Sequence, residues 1–284
     1  MARVLVTGTS GFVGGALARS LAASGQHEVF CISRKPSQVE GATCHRGLFH
    51  SFEDLRVFDD VDMDVVVHLA AVTGAGTERD CMAVNVLGTH SLLRALIDRG
   101  CRKFVLASSI AAVGFQSVRF RPLQIPIPDE HPCLDRDGYG VSKYLMEEVT
   151  RYVSRQEDEV DIINIRLASV IPEDSTPSPV QPGPVRQWSI GAPSLLYVSD
   201  AVRCFRMAAE SPRKPGVRIM NAVGAQACVA APVPEILRAW YGADADSLDM
   251  SHYERPGHER DPLYSIDRVR EEIGFTPARS VLPE

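Results

Sequence analysis

The sequence has no basic excess and no block of like charge. Its 30 Lys and Arg stand against 36 Asp and Glu, for a formal net charge of −6. A nucleic-acid partner would require a basic stripe, so none is expected. Cysteine is sparse and scattered: seven residues, an odd number, with no CxxC pair and no Cys/His cluster at zinc-ligand spacing. That pattern excludes a disulfide framework and predicts no metal site. The thiols are expected to be small buried apolar groups in a reducing compartment. No apolar run approaches the ~18 residues of a membrane helix. The run VLVTG, starting at Val4, leaves no room for the charged and apolar regions of a secretory leader. A soluble cytoplasmic protein is therefore expected, without membrane or nucleic-acid partners.

What is present is alternation. Over 284 residues with 45% hydrophobic content, short apolar runs trade places with amphipathic segments. Strands are predicted at 4–8, 27–34, 64–71, 103–109 and 161–170, and helices at 12–25, 79–100 and 139–156. Strand and helix in turn imply right-handed crossovers and an α/β fold, a Rossmann-type doubly wound parallel sheet. The pattern loosens after Pro172; STPSPVQPGP (175–184) has four prolines in ten residues and must be loop. A helix at 199–210, a strand at 217–223 and helices within 233–242 and 264–277 complete the chain. The expected division is a dinucleotide domain over 1–170, rejoined near 199–223, and a small C-terminal substrate lobe from 171–198 and 224–284.

VTGTSGFVG (6–14) places Gly8, Gly11 and Gly14 at GxxGxxG spacing in the first strand-to-helix turn. There Gly8 permits a tight turn, Gly11 lets backbone approach a pyrophosphate, and Gly14 lets helix and strand pack closely. The helix N-terminus favours the phosphate charge. Ser10, Phe12 and Val13 lie in the same loop. At the end of the second strand, where a carboxylate would bind the ribose 2′-hydroxyl of NAD, the chain has Ser33, Arg34 and Lys35. Cations there suit a 2′-phosphate, so NADP is expected in preference to NAD.

LASSIAAVG (106–114) runs off the carboxyl end of a strand, where open parallel sheets bind ligands, and so Ser108 and Ser109 are placed to face one. Tyr139 and Lys143 sit four apart at the start of the next helix and share a face. A phenol is a poor base at neutral pH, and a nearby ammonium favours its phenolate. A serine hydroxyl beside them would polarise a carbonyl or orient an alcohol.

These motifs, in this order, resemble the extended short-chain dehydrogenase/reductases, the NAD(P)-dependent epimerase/dehydratase family. HLAA (68–71), NVLGTHSLLRA (85–95), PDEHP (128–132), YGVSK (139–143), IRLASV (165–170), YVSDAV (197–202), RPG (255–257) and IGFTP (273–277) carry the resemblance over nearly the whole chain. It implies that Tyr139 is the catalytic acid/base, Lys143 its partner and Ser109 the catalytic hydroxyl. Leu69, Ala70 and Ala71 would line the cofactor, with Ala168 and Val170 near the nicotinamide. It also implies a homodimer formed through the two long helices.

The departures narrow the chemistry. The family's dehydratases carry Asp-Glu after the catalytic Thr; here Ile110 and Ala111 stand there, and neither moves a proton. The family's Asp near the adenine is absent from HRGLF (45–49), where Gly47 stands. The segment from Pro172 to Tyr197 is short for a nucleotide-sugar epimerase, although Arg255 matches a diphosphate-contacting position of those enzymes. A simple dehydrogenase or reductase of a sugar, sugar acid or other hydroxy/keto metabolite is favoured, with Asn85, Ser109 and Arg255 toward the substrate; Arg166 is either a further polar candidate or a buried, paired group. The alternatives are a nucleotide-sugar 4-epimerase that retains NAD, and a non-catalytic NADP-binding sensor.

Overall fold

The structure is a computed structural model that describes residues 1–73 and 76–282. A seven-stranded sheet runs in the order β3-β2-β1-β4-β5-β6-β9. Its strands are β1 (Ala2–Thr7), β2 (His27–Ser33), β3 (Ala42–Arg46), β4 (Val65–His68), β5 (Lys103–Ser109), β6 (Asp161–Leu167) and β9 (Gly216–Ala222). β1 pairs in parallel with β2 on one side and β4 on the other, while β3 and β5 extend the parallel ladder outward. This is the expected α/β Rossmann-type architecture. The winding direction reverses between β1 and β4, which makes their carboxyl ends the switch point where such sheets take ligands.

The helices are α1 (Phe12–Ala23), α2 (Glu78–Cys81), α3 (Thr89–Ile97), α4 (Gly138–Gln156), α5 (Val198–Glu210), α6 (Val233–Tyr241), α7 (Ser251–Glu254) and α8 (Asp267–Ile273). α2 and α3 are joined by a π-helical stretch, Met82–Gly88, so the single helix expected over 79–100 is interrupted. Gly88 lies there because a Cβ would meet the Phe49 ring at 3.2 Å. β3 escapes the sequence reading because its residues, ATCHR, are mostly half-exposed and lack an apolar run. The strand expected over 161–170 is cut at Ala168, whose N–H donates to Ala222 O at 3.0 Å. The chain resumes as β7 (Ser169–Ile171), paired with β8 (Leu195–Tyr197) in a small second sheet.

Two compact units emerge. The first comprises Met1–Ser108, Ser142–Ile165 and Val202–Ile219; the second comprises Ser109–Val141, Arg166–Ala201 and the chain from Met220 onward. This differs from a boundary at 170. The segment from Ser109 to Val141 belongs to the second unit because its backbone is bonded there: Ile127 N–H to Leu263 O at 2.8 Å, Ser265 N–H to Ile127 O at 2.9 Å. Within the first unit, Leu5, Phe30, Phe104 and Ile162 on the strands pack with Leu92, Leu96 and Val153 on α3 and α4. Among the described residues, no helix is long and apolar enough to cross a membrane.

One buried polar chain ties the switch point together. Thr7 Oγ1 accepts the Leu69 and Ala70 N–H groups, both at 3.2 Å, and lies 2.7 Å from His68 Nδ1. Thr89 Oγ1 donates to Asn85 O at 2.7 Å and lies 3.3 Å from His68 Nε2. The bonds are consistent only if Thr7 donates to Nδ1 and His68 donates from Nε2, a neutral imidazole. Burial pushes the His68 pKa down to about 3. An unfolded histidine protonates near 6.5, so this stability is present above that pH and is lost as pH falls toward the folded value. The unfolding free-energy advantage of wild type over His68→Gln is therefore expected to shrink by about 1.4 kcal/mol per unit between pH 6 and 4. Urea titrations at three pH values check this, and a pH-independent difference would contradict it.

Candidate active site

The first unit holds the glycine loop. Gly8 has φ +77°, and a Cβ there would lie 2.7 Å from Ala70 N and 2.8 Å from Ala70 Cα. At Gly14 a Cβ would lie 2.4 Å from Gly8 O. The loop and β4 therefore approach backbone to backbone, which only glycine allows. Gly11 stands at the N-cap of α1 with no side-chain cap, and the first turn carries no acidic residue. The leading amides of α1 are thus left for an anion. Ser10, Gly11 and Phe12 are exposed and Val13 is half-buried, with Leu69, Ala70 and Ala71 half-buried across the switch point. This loop fits a dinucleotide pyrophosphate.

Beyond β2 the sequence-predicted residues separate. Ser33 is buried, and its hydroxyl donates to Lys35 O at 2.6 Å. Arg34 and Lys35 are exposed. A cleft of about 660 Å³ adjoins them, lined by Ser37, Gln38, Cys44, His45 and Arg46. Sequence reading found no carboxylate at Gly47, yet Asp54 packs beside it and accepts the Leu48 N–H at 2.7 Å. No motif signals Asp54, because the following 3₁₀ turn (Asp54–Phe58) carries it in.

Lys143, on α4, is almost fully buried, and its Nζ donates to Ala107 O at 2.7 Å. Burial pushes its pKa down to about 8, partly offset by the Glu147 carboxylate. It therefore remains largely charged at neutral pH. The two serines divide. Ser108 is buried and donates to Glu147 Oε1 at 2.6 Å. Asn85, expected toward the substrate, is also buried: its amide bonds Val72 N–H and C=O at 2.8 Å each and Ser142 Oγ at 2.9 Å. It braces the loop after β4 against α4.

In the second unit, Ser109 ends β5 and caps a 3₁₀ turn (Ile110–Val113), accepting the Ala111 N–H at 3.1 Å. Ile110 and Ala111 are buried and carry no proton donor. Tyr139 is half-buried in the first turn of α4, where its N–H donates to Asp137 Oδ1 at 2.9 Å. The same carboxylate oxygen accepts from Gln116 Nε2 at 3.0 Å. Gly140 lets α4 begin here: a Cβ would lie 2.6 Å from Ala111 O and would overlap the Asp135 carboxylate. Sequence reading missed Asp135, Asp137 and Gln116, because their role is to hold the helix start that carries Tyr139. Burial raises the Asp135 carboxyl to about 6. Ala168 is buried and Val170 half-buried at the β6–β7 junction. Arg166 is buried and donates to Asp129 O at 2.8 Å, so of its two readings the paired one holds. Arg255 is exposed and donates to His252 Nδ1 at 2.7 Å.

Comparison with known proteins agrees with this fold. The model of the NAD dependent epimerase/dehydratase family matches residues 4–222. Among curated relatives, UDP-glucose 4-epimerase 2 of Arabidopsis thaliana is 27% identical over 213 residues, 68% of this chain and 57% of its own. The UDP-glucose 4-epimerase of Halalkalibacterium halodurans is 27% identical over 157 residues, 51% of this chain and 44% of its own. The chain thus spans about half the length of the curated relatives it matches. Among solved structures, a short-chain dehydrogenase/reductase superfamily protein from Agrobacterium tumefaciens with bound NAD superposes with TM-score 0.71 at 21% identity, over 98% of this chain and 93% of that one. MoeE5 in complex with UDP-glucuronic acid and NAD gives TM-score 0.70 at 21% identity, over 99% and 95%. These structures share the fold. With the family model covering most of the chain, this protein belongs to the NAD-dependent epimerase/dehydratase family.

Proposed function

We propose that the protein is an NAD(P)-dependent oxidoreductase acting at a carbinol or carbonyl carbon of a sugar, sugar acid or other small hydroxy/keto metabolite. The observation that carries this reading is Tyr139 half-buried one helical turn from a buried, charged Lys143. The dinucleotide, when bound, supplies the hydride acceptor or donor. The residues proposed to hold it are Gly8, Ser10, Gly11, Phe12, Val13 and Gly14 of the loop, with Leu69, Ala70, Ala71, Lys143, Ala168 and Val170. Tyr139 exchanges the proton at its hydroxyl, and Lys143 favours the phenolate. Ser109 orients the substrate oxygen. The test is a nicotinamide-absorbance screen against sugar acids, keto compounds and nucleotide sugars. Turnover that consumes cofactor stoichiometrically supports the reading; no redox change with any of them refutes it.

A second reading, a UDP-sugar 4-epimerase, is favoured by the curated relatives, which are UDP-glucose 4-epimerases. Such an enzyme retains its cofactor, so it would purify with bound dinucleotide and interconvert epimers without net redox change. A third, an NADP-binding sensor, has no use for Tyr139 and Lys143.

For the cofactor we propose NADP over NAD, supported by exposed Arg34 and Lys35 beyond β2. A charge-assisted hydrogen bond contributes ~1.5–3 kcal/mol. Arg34→Ala is therefore expected to raise the KM for NADP about tenfold or more while leaving the KM for NAD near wild type; an unchanged KM for NADP would remove the assignment. A homodimer through the long helices is supported by Leu87 and Tyr152, exposed at 66% and 45%, and sedimentation velocity tests it. A cytoplasmic setting is supported by the absence of any disulfide among the seven cysteines.

A further inference from the structure

We propose that His252, His258 and Asp261 form a binding site for a divalent transition-metal ion, with zinc as the reference cation. Their spacing, H-x5-H-x2-D, matches no zinc motif, but the turn after α7 folds them together. His252 Nε2 and His258 Nδ1 each lie 2.8 Å from the same oxygen, Asp261 Oδ2. All three ligand atoms fall within 4.8 Å of one another. Two imidazoles and a carboxylate are the donor set of many zinc and iron(II) sites. With ligand bonds of about 2.0–2.1 Å, a tetrahedral zinc separates its ligand atoms by roughly 3.3 Å. The two close contacts therefore need to open by only about half an ångström. A cleft of about 360 Å³, lined in part by Gly257, Glu259, Arg260 and Asp261, leaves room for water as a further ligand.

The proton positions sharpen the inference. Arg255 only donates, so His252 Nδ1 accepts from it at 2.7 Å and the His252 proton sits on Nε2, facing Asp261. His258 likewise presents Nδ1–H to the carboxylate. A metal takes the place of both protons. His252 then stays neutral only by carrying its proton on Nδ1 instead. His252 Nδ1 then becomes a donor and can no longer accept from Arg255. Metal binding and the Arg255–His252 hydrogen bond are mutually exclusive, so Arg255 competes with the metal both as a donor and as a positive charge.

The protein, stripped by chelator, is titrated with zinc against a chromophoric competitor, and with cobalt(II) to read the ligand type. One zinc per chain with micromolar or tighter affinity is expected, with a cobalt spectrum lacking thiolate charge-transfer bands. His258→Ala, at a residue whose side chain is 43% exposed, is expected to weaken binding at least tenfold, and Asp261→Asn likewise. Arg255→Met is expected to tighten it several-fold, an effect that a merely structural hydrogen bond would not produce. Circular dichroism establishes that each variant folds; if Asp261→Asn does not, His258→Ala decides. Absence of binding below millimolar zinc, binding unchanged in His258→Ala, or a thiolate band showing cysteine ligation would each overturn the proposal.

Discussion

Tyr139→Phe is expected to lower turnover by about 10²–10⁴-fold, the range for loss of a positioned general acid/base, while dinucleotide affinity stays within about twofold of wild type. The ring remains, so packing at the start of α4 is kept and only the hydroxyl is lost. Lys143→Met is expected to act differently. It removes a buried ammonium whose pKa burial has brought down to about 8, and with it both the charge proposed to favour the phenolate and the bond to Ala107 O. Its turnover should fall to a similar degree, and the KM for cofactor should rise as well. Wild-type turnover should also lose its Lys143 contribution as pH climbs through about 8, because the amine is then neutral; Tyr139→Phe should lack that limb. Steady-state kinetics from pH 6 to 9.5 measure all three. A Tyr139→Phe enzyme with full turnover would refute the acid/base role.

Gly8→Ala is expected to abolish measurable dinucleotide binding and to destabilise the fold by several kcal/mol. Two costs combine. The left-handed φ of +77° costs a residue with a Cβ about 1–2 kcal/mol. The larger cost is contact: the new carbon would lie 2.7–2.9 Å from backbone atoms of Leu69 and Ala70, which cannot rotate away as a side chain would. Thr7 also binds the Leu69 and Ala70 amides, so the displaced segment would pull on the His68 chain. Gly25→Ala separates the two costs. Gly25 has φ +64° but nothing within 4 Å of its Cβ position, so it should lose about 1 kcal/mol and bind cofactor as wild type does. Isothermal titration and urea melts of both variants provide the comparison. Equal losses at the two positions would show that backbone conformation, and not close approach, makes Gly8 glycine.

The legible parts of the fold were those governed by local pattern. β1, β4 and β5 are short apolar runs because a parallel sheet buries both of its faces, and the ends of α1 and α4 follow from glycine and from turn residues. β3 was not legible: an edge strand needs no apolar run, and ATCHR has none. The π-helical stretch after Cys81 was not legible either, because Gly88 abuts Phe49 and Asn85 bonds Val72, contacts with residues distant in sequence.

The candidate site divides in the same way. Gly8 and Gly14 were legible because close backbone approach demands glycine at that spacing, and Tyr139 and Lys143 were legible as a proposed pair because residues four apart on a helix share a face. Asn85 and Ser108 were equally visible as polar residues, and Asn85 was expected toward the substrate. Only the tertiary structure showed that Asn85 is spent on Val72 and Ser142 and Ser108 on Glu147. Burial and partners are properties of neighbours distant in sequence. The absence of zinc spacing excluded a metal motif in sequence, and yet the turn after α7 gathers His252, His258 and Asp261 within 4.8 Å. The sequence by itself determined the fold class and the family, since both rest on repeated local constraints. Which polar groups are braces and which are left to bind was decided by tertiary structure, because a hydrogen bond made inside the protein is no longer available to a ligand.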